Sequence, residues 1–266
     1  MTVAPALRKR AASGEPRLSA GALQEMLDLL QGASSLELKL TVPDQSQGAA
    51  IRGLGFDPVE AEPRQTFFFD TPDLALNRAG LIVRARRRPG GKADTVVKLR
   101  PVDPKALDAA LLRDPAFKIE LDALPGGYVC SASCKGSCTA QEVIEAADGR
   151  SPLQFLFSKL QRAFYAEHAP PGLAMKALVP LGPTFLLRLK QTPKDFDRAV
   201  VVELWLYPDG SRVLEISTKG EPREAFEVAA RFRAFLARCG IAVEKQGGSK
   251  TAGALKFFTR RLSAAA

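Results

Sequence analysis

The sequence predicts an α+β fold in which an eight-stranded antiparallel β-barrel is flanked by amphipathic helices. Two observations favour this fold class. About eight segments alternate apolar and polar residues with the period of two that is typical of strands, and several are joined by short turns. Helical patterns do not alternate with these segments as they do in a parallel βαβ sheet. An antiparallel barrel or sandwich satisfies both observations.

The first half of the chain contributes a basic tail, two helices and five strands. Residues 1–17 are rich in Ala, Arg and Lys without periodicity, so we predict a disordered tail before one domain over residues 18–262. Apolar residues with helical spacing predict a helix that begins at Ser19 and ends at Gly32. A short helix is predicted over 44–54, and strands over 35–40, 65–70, 81–86, 95–100 and 117–124.

The second half begins with a predicted Cys-rich connector near residues 125–150, which is followed by a helix over 151–166. Three more strands are predicted over 185–190, 200–207 and 212–219, and the turn at 208–210 joins the last two. A long amphipathic helix then ends at Gly240.

Composition narrows the class of protein and of partner. The chain is 46% hydrophobic and 25% charged, as is typical of a globular protein, and its net charge of +9 favours anionic partners. No apolar run is long enough to span a bilayer, and no apolar segment follows the basic N-terminus, so we expect a cytoplasmic protein without a membrane partner. The oligomeric state is left open.

The cysteines and the single histidine carry little functional signal. Cys130, Cys134 and Cys138 recur at every fourth residue, which differs from the C-x2-C pairs of structural zinc sites, and Gly136 favours a loop. We therefore expect ordinary reduced thiols rather than a metal site. Cys239 is expected in the core, and His168 is expected at the surface rather than in catalysis.

The polar face of the predicted strands is ionic on strand after strand. If the sheet closes, one face becomes the bore of the barrel, and the amphipathic helices need the apolar face as a partner. The charged face then lines the bore, with nine basic and five acidic residues: Lys39, Arg84, Arg86, Lys98, Arg100, Lys118, Arg188, Lys190 and Lys219, against Glu37, Glu120, Asp122, Glu203 and Glu215.

A confined excess of positive charge predicts a bound polyanion such as a triphosphate or polyphosphate. Basic residues at i and i+2 repel each other unless an anion lies between them, and the carboxylates concentrate near the first and last strands, as a Mg²⁺ site would require. The alternative is an open sheet whose charged face is simply solvated. Nucleic acid is not expected, because the cations point inward and the aromatic content is only 7%.

Several motifs resemble those of the CYTH superfamily, the triphosphate tunnel metalloenzymes. The most specific is the run from Phe69 to Leu74, which is similar to the family's Y-x-D-T-P-D block, and it is followed by Val83 to Arg86 in the place of L-R-x-R. Residues 97–100 resemble the T-x-K-x-R strand, residues 214–219 the closing hairpin, and residues 249–251 the C-terminal S-K-T element.

The resemblance implies an eight-stranded tunnel and hydrolysis of a triphosphate with Mg²⁺ or Mn²⁺. It implies metal ligation by Glu37, Glu203 and Glu215 and a water positioned by a bore carboxylate, for which Glu37, Glu120 and Glu215 are the candidates. It implies phosphate contacts from Lys39, Arg84, Arg86, Lys98, Arg100, Arg188, Lys190, Lys219 and Lys250, with Lys118 as a further cation of the bore.

Two departures from the family pattern affect the metal ligands. Ser35 stands where the family's first strand has a carboxylate, and Ser217 stands in the place of a second one. A neutral hydroxyl is a poorer Mg²⁺ ligand than a carboxylate. The favoured hypothesis is therefore a metal-dependent triphosphatase. The alternatives are a binding module for triphosphate or polyphosphate with little turnover and, less favoured, an adenylate cyclase.

Overall fold

A computed structural model of the protein describes residues 19–243 and residues 254, 255, 257 and 258. Within these residues nine strands form one closed barrel in the order β1-β5-β6-β4-β3-β2-β7-β8-β9, and β9 pairs back with β1. The strands are β1 (Ser35–Val42), β2 (Glu62–Asp70), β3 (Leu81–Arg87), β4 (Lys92–Leu99), β5 (Phe117–Leu124), β6 (Gly127–Thr139), β7 (Val179–Gln191), β8 (Val200–Leu206) and β9 (Arg212–Gly220).

The predicted barrel is confirmed, with two differences in detail. The barrel has nine strands where eight were predicted, and one pair is parallel, since β1 and β5 run in the same direction. The remaining neighbours pair in the antiparallel sense.

The ninth strand is β6, which occupies the segment that we predicted as a Cys-rich connector. Side chains of a strand alternate between its two faces, so residues at every fourth position lie on the same face. Cys130, Cys134 and Cys138 therefore share the outer face, where Cys130 and Cys134 are buried in the main core. The connector prediction was wrong because Gly136, which we took as a loop signal, lies within the strand.

The helices cover the outer face of the barrel. They are α1 (Ala20–Gly32), α2 (Gln47–Leu54), α3 (Ala75–Arg78), α4 (Ala109–Leu112), α5 (Ala140–Ala147), α6 (Lys159–His168) and α7 (Ala225–Arg238). The main core joins Leu36, Leu38 and Leu40 of β1 to Leu30 of α1, Leu54 of α2 and further helix residues. Burial of this apolar face is the main source of stability, because each Å² of apolar surface removed from water contributes roughly 25 cal/mol to the free energy of folding.

Two hydrogen bonds of one buried side chain fix α6 on the barrel. The side chain of Gln161, which is fully buried, donates to the backbone carbonyl of Cys134 at 3.1 Å and accepts from the hydroxyl of Thr95 at 3.0 Å. Gly136 leaves the room for this amide, since a Cβ there would lie 2.6 Å from Gln161 Oε1. A glycine inside β6 thus serves the docking of a helix.

A second, smaller apolar cluster fills one end of the bore. It contains the strand residues Phe68, Leu181, Leu186 and Trp205 together with Tyr207, which follows β8, and Ala254, Leu255 and Phe258 pack on them. Phe68 is near the end of β2, Leu181 is near the start of β7 and Trp205 is near the end of β8, and these strand ends meet because consecutive strands are antiparallel. The bore is therefore apolar at this end, whereas the sequence pattern predicted a bore lined with charged residues.

Two expectations fall on residues that the structure leaves undescribed. The basic tail over residues 1–17 and the Lys250 element lie outside the described residues. Within the described part of the chain, no helix combines the length and the apolar character needed to cross a bilayer.

Candidate functional site

Pairing registers place the charged side chains together on the inner face of the barrel. In β1, Leu36, Leu38 and Leu40 alternate with charged residues, and in β3 the apolar residues Val83 and Ala85 do the same. These apolar side chains pack outward in the main core. Electrostatic coupling crosses the bore: Arg84 on β3 interacts with Glu203 on β8, although β2 and β7 lie between them. The strands therefore hold these charges around one enclosed space.

A carboxylate between two lysines marks one side of the bore. Asp122 Oδ1 accepts from Lys39 Nζ at 2.8 Å, and Asp122 Oδ2 accepts from Lys98 Nζ at 3.2 Å. Burial alone would raise the pKa of Asp122, but the two lysines lower it to about 2. Burial would likewise lower the pKa of Lys39, yet Glu37, Asp122 and Glu215 hold it above its ordinary value. Asp122 and Lys39 are therefore both charged at neutral pH.

Two further predicted residues form ion pairs beside this cluster. Glu37 lies 3.1 Å from Lys39 Nζ and 3.7 Å from Lys219 Nζ, and Lys219 also donates to Glu120. Burial opposes ionisation of Glu120, but Lys219 keeps the pKa of its carboxyl below the ordinary value. Two of the three carboxylates predicted to be catalytic, Glu37 and Glu120, are thus already bound to lysine.

Arginines dominate the part of the bore formed by β2, β3, β4 and β7. Asp94 accepts from Arg86 at 3.1 Å and lies 3.7 Å from Arg84 and 3.6 Å from Arg88. Burial and the neighbouring Arg86 lower the pKa of Arg84 to about 10. Glu203 lies 3.8 Å from Arg188 and accepts from the indole N–H of Trp205 at 3.2 Å.

The remaining predicted residues lie at the margins of this set. Lys118 lies on the inner face of β5 and Lys190 lies on the inner face of β7, and both side chains are exposed. Arg100 follows the end of β4 and is half-buried. Its backbone contacts Gly80, where a Cβ would lie 2.3 Å from the Arg100 carbonyl oxygen. Lys250 lies outside the described residues.

Asp94 and Arg64 are among the inner-face residues that were absent from the sequence prediction. Asp94 lies in the part of β4 that precedes the predicted strand, and Arg64 lies in the part of β2 that precedes the predicted strand. The signal that could have found them was extension of each alternating pattern by one inner-facing position.

Asp94 and Asp122 also correct one step of the sequence argument. Basic residues at i and i+2 were expected to need a bound anion between them. The structure places Asp94 against Arg84 and Arg86 and places Asp122 against Lys39 and Lys98, so the protein supplies part of the counter-charge itself.

The donor set does not fit a divalent cation held by the protein alone. Glu37 and Glu203, two of the predicted ligands, are paired with basic side chains, and Glu215 interacts electrostatically with Lys39. Within the described residues, no three His, Cys, Asp or Glu side chains come together as a metal site would need. Ser35 and Ser217 lie on the inner face and supply only hydroxyls. The predicted Mg²⁺ or Mn²⁺ site therefore remains without a supporting ligand cluster.

Comparison with known proteins supports the fold. No protein-family model matches the sequence, and no curated protein matches it either. Among solved structures, HpAC1 from Hippeastrum, a candidate adenylyl cyclase with a dominant triphosphatase activity, is similar over 83% of this chain and 95% of its own. The TM-score is 0.60 at 19% identity.

A second similar structure is a candidate adenylate cyclase from Bacillus halodurans. It covers 82% of this chain and 97% of its own, with a TM-score of 0.56 at 14% identity. The chain therefore has the barrel fold of these two proteins, which is the fold that its resemblance to the CYTH superfamily implies.

Proposed function

We propose that the charged part of the bore binds a triphosphate or polyphosphate. The observation that carries this proposal is the gathering of Lys39, Lys98, Lys219 and the arginines of β3 and β7 around one enclosed space. A polyanion can bind several of these cations at once, so that the negative charges of the ligand compensate the positive charges enclosed in the bore. Inorganic triphosphate, organic triphosphates and longer polyphosphate share the chemistry that these groups recognise.

Neighbouring arginines on β3 provide a matched test. Arg86 faces the bore, whereas Arg87 lies on the outer face and donates to Gln65. We expect Arg86→Gln to weaken tripolyphosphate binding at least about 10-fold, because a charge-assisted contact to phosphate is lost. Arg87→Gln should change affinity less than about 2-fold. Isothermal titration calorimetry measures both, and equal losses in the two variants would show non-specific attraction to a basic surface.

Hydrolysis of the bound polyanion is the second candidate function. The same fold in the Hippeastrum protein accompanies a dominant triphosphatase activity, which favours this candidate. The test measures phosphate release from triphosphate, ATP and long-chain polyphosphate with Mg²⁺ or Mn²⁺ present, and cyclic AMP formation from ATP tests the cyclase alternative. Tight binding without turnover would favour the binding module.

Ser35→Glu tests whether the missing carboxylate limits turnover. Ser35 lies on β1 opposite Glu120 of β5, so a glutamate there would add a carboxylate to the inner face beside Glu37. We expect turnover to rise in the presence of Mg²⁺, since a second carboxylate improves the oxygen ligand set. Unchanged turnover would show that the loss of this carboxylate is not what limits hydrolysis.

A further inference from the structure

Arg64 is a buried arginine on the inner face that neither the strand pattern nor the family motifs identified. Only 8% of the surface of Arg64 is exposed, and Arg64 lies opposite Leu186 of β7 in the β2–β7 pair. Two residues earlier on β2, Glu62 binds it through two contacts, Nε to Oε1 at 3.2 Å and Nη2 to Oε2 at 3.1 Å. A guanidinium carries five N–H donors, so this ion pair uses one edge of the group.

Two other arginines lie close to Arg64, and among the described residues each has a counter-ion at ion-pair distance rather than at hydrogen-bond distance. Arg84 lies 3.7 Å from Asp94, and Arg188 lies 3.8 Å from Glu203, which are both longer than hydrogen bonds. The Nε of Arg84 is buried and has no hydrogen-bond partner among the described residues. Burial and repulsion by Arg64 both lower the pKa of Arg188, which shows that the positive charges are close enough to oppose one another.

Neighbouring hydroxyl groups also lack partners. Thr66 and Thr184 face each other across β2 and β7, next to Arg64 along the inner face, and both are fully buried. Their Oγ1 atoms make no hydrogen bond to any described residue. Buried polar groups are ordinarily paired, so these unsatisfied hydroxyl donors beside arginines whose counter-ions lie beyond hydrogen-bond distance indicate a place for an oxygen-rich anion.

The lysine side of the bore behaves differently. There, Asp122 contacts Lys39 and Lys98 at hydrogen-bond distance, and Glu120 accepts from Lys219. The lysines thus have counter-ions at hydrogen-bond distance, whereas the carboxylates paired with Arg84 and Arg188 lie 3.7 and 3.8 Å away. An incoming anion therefore gains most on the arginine side.

We propose that Arg64, Arg84 and Arg188 form an anion subsite that binds the terminal phosphate of the polyanion, with Arg64 as an additional binding residue. This inference rests on the proposed function, because it assigns one part of the same bore. A terminal phosphate carries the highest charge density of a polyphosphate and offers three oxygens to planar guanidinium groups. Glu62 holds the Arg64 guanidinium in place and leaves its other donors for the ligand.

Isothermal titration calorimetry on the full chain with Arg64→Gln and Arg64→Lys tests this subsite. Arg150→Gln is the matched control, because Arg150 also pairs with a carboxylate two residues earlier, Asp148, but on the surface. We expect Arg64→Gln to weaken tripolyphosphate binding about 10- to 100-fold. Arg64→Lys should recover little of it, because lysine lacks the bidentate geometry, and Arg150→Gln should bind as the wild type does.

Comparison of inorganic triphosphate with ATP shows whether the subsite binds the terminal phosphate of inorganic chains only or also that of nucleotides. If the subsite takes a terminal phosphate, Arg64→Gln weakens inorganic triphosphate and ATP by similar factors, since both end in the same group. A loss for inorganic triphosphate alone would restrict the subsite to inorganic chains. Equal affinity of Arg64→Gln and wild type for both ligands would overturn the inference.

Glu62→Gln provides a second test should Arg64→Gln fail to fold. The glutamine amide oxygen can still accept from Arg64 while the competing negative charge is removed, so we expect tighter tripolyphosphate binding by about 3-fold or more. Unchanged affinity would mean that Arg64 serves only its ion pair. Failure of the proposed function looks different, because then the wild-type protein itself would not bind triphosphate.

Discussion

Asp122 competes with any anion that enters the lysine side of the bore. Its carboxylate accepts from Lys39 and Lys98, and its side chain is only 2% exposed. A phosphate oxygen that binds these lysines must share them with Asp122. The same residue therefore stabilises the fold and limits the affinity for a polyanion.

Asp122→Asn separates these two effects. Removing one partner of a buried ion pair leaves charge uncompensated, so we expect the free energy of unfolding to fall by about 3 kcal/mol. Tripolyphosphate affinity should rise several-fold, because Lys39 and Lys98 lose a competing anion. Urea unfolding and calorimetry measure the two changes, and weaker binding in a folded variant would contradict a role for these lysines in anion binding.

Acid should remove the contribution of Asp122 to stability. Its folded-state pKa of about 2 is below the ordinary value of 3.8, so folding favours the ionised form. The contribution is complete above the ordinary pKa and is lost as the pH falls through 4 towards 2, with a size of about 2 kcal/mol.

Urea unfolding of wild type and Asp122→Asn at pH 5 and at pH 2.5 measures this loss. The difference in unfolding free energy between the two proteins should shrink at the lower pH. A difference that stays constant between the two pH values would contradict the assignment.

For individual residues, the sequence predicted most of the charged inner face, including Lys39, Asp122 and Arg84. Each of these residues lies in a strand where apolar and charged residues clearly alternate. It could not predict which charges neutralise each other. Lys98 and Asp122 lie on β4 and β5, which are separated in the barrel by β6, so their contact depends on strand order.

Among the elements, β6 shows why a strand can escape detection. Its outer face presents Cys130, Ala132 and Cys134, and its inner face presents Ser131 and Ser133. Neither face carries the contrast between large apolar and charged residues that identified the other strands. Small side chains suit this position because α6 packs directly on the strand through Gln161.

The three cysteines of β6 should be inert thiols in the folded protein. Residues four apart on a strand are separated by about 13 Å, which is too far for a disulfide. Burial raises the pKa of each thiol, Cys130, Cys134 and Cys138, to about 11. We expect these three to react with a thiol reagent at pH 8 only after denaturation. Rapid labelling of Cys130 or Cys134 in the native protein, mapped by mass spectrometry, would contradict their placement in the core.

Docking of α6 should depend on Gly136. Gly136→Ala would place a Cβ 2.6 Å from Gln161 Oε1 and 2.7 Å from Thr95 Oγ1, and we expect a loss of about 2 kcal/mol of unfolding free energy. Gly21→Ala in α1 is the control, since a Cβ there meets nothing within 4 Å and alanine favours the helix. Thermal unfolding compares them, and equal stability of the two variants would contradict this packing.

Across the whole molecule, the bore provides cations for a polyanion but no clustered ligands for a divalent metal in the described residues. We therefore expect tripolyphosphate to bind in the presence of EDTA with an affinity within about 10-fold of that measured with Mg²⁺. Binding should weaken as salt rises, because the interaction is between charges. Complete loss of binding in EDTA would show that a metal is an obligatory part of the site.

The barrel closes only when its first strand along the chain, β1, pairs with its last, β9. β1 begins at Ser35, and its antiparallel partner β9 ends at Gly220. During synthesis on the ribosome, β1 can pair with β5 long before β9 emerges, but the ring of strands remains open on one side. Such distant pairing slows folding, and the inner cations stay hydrated until the last strand arrives. A chain that terminates before β9 would therefore lack Lys219 and would leave the remaining charges of the site without the enclosure that the proposed anion binding needs.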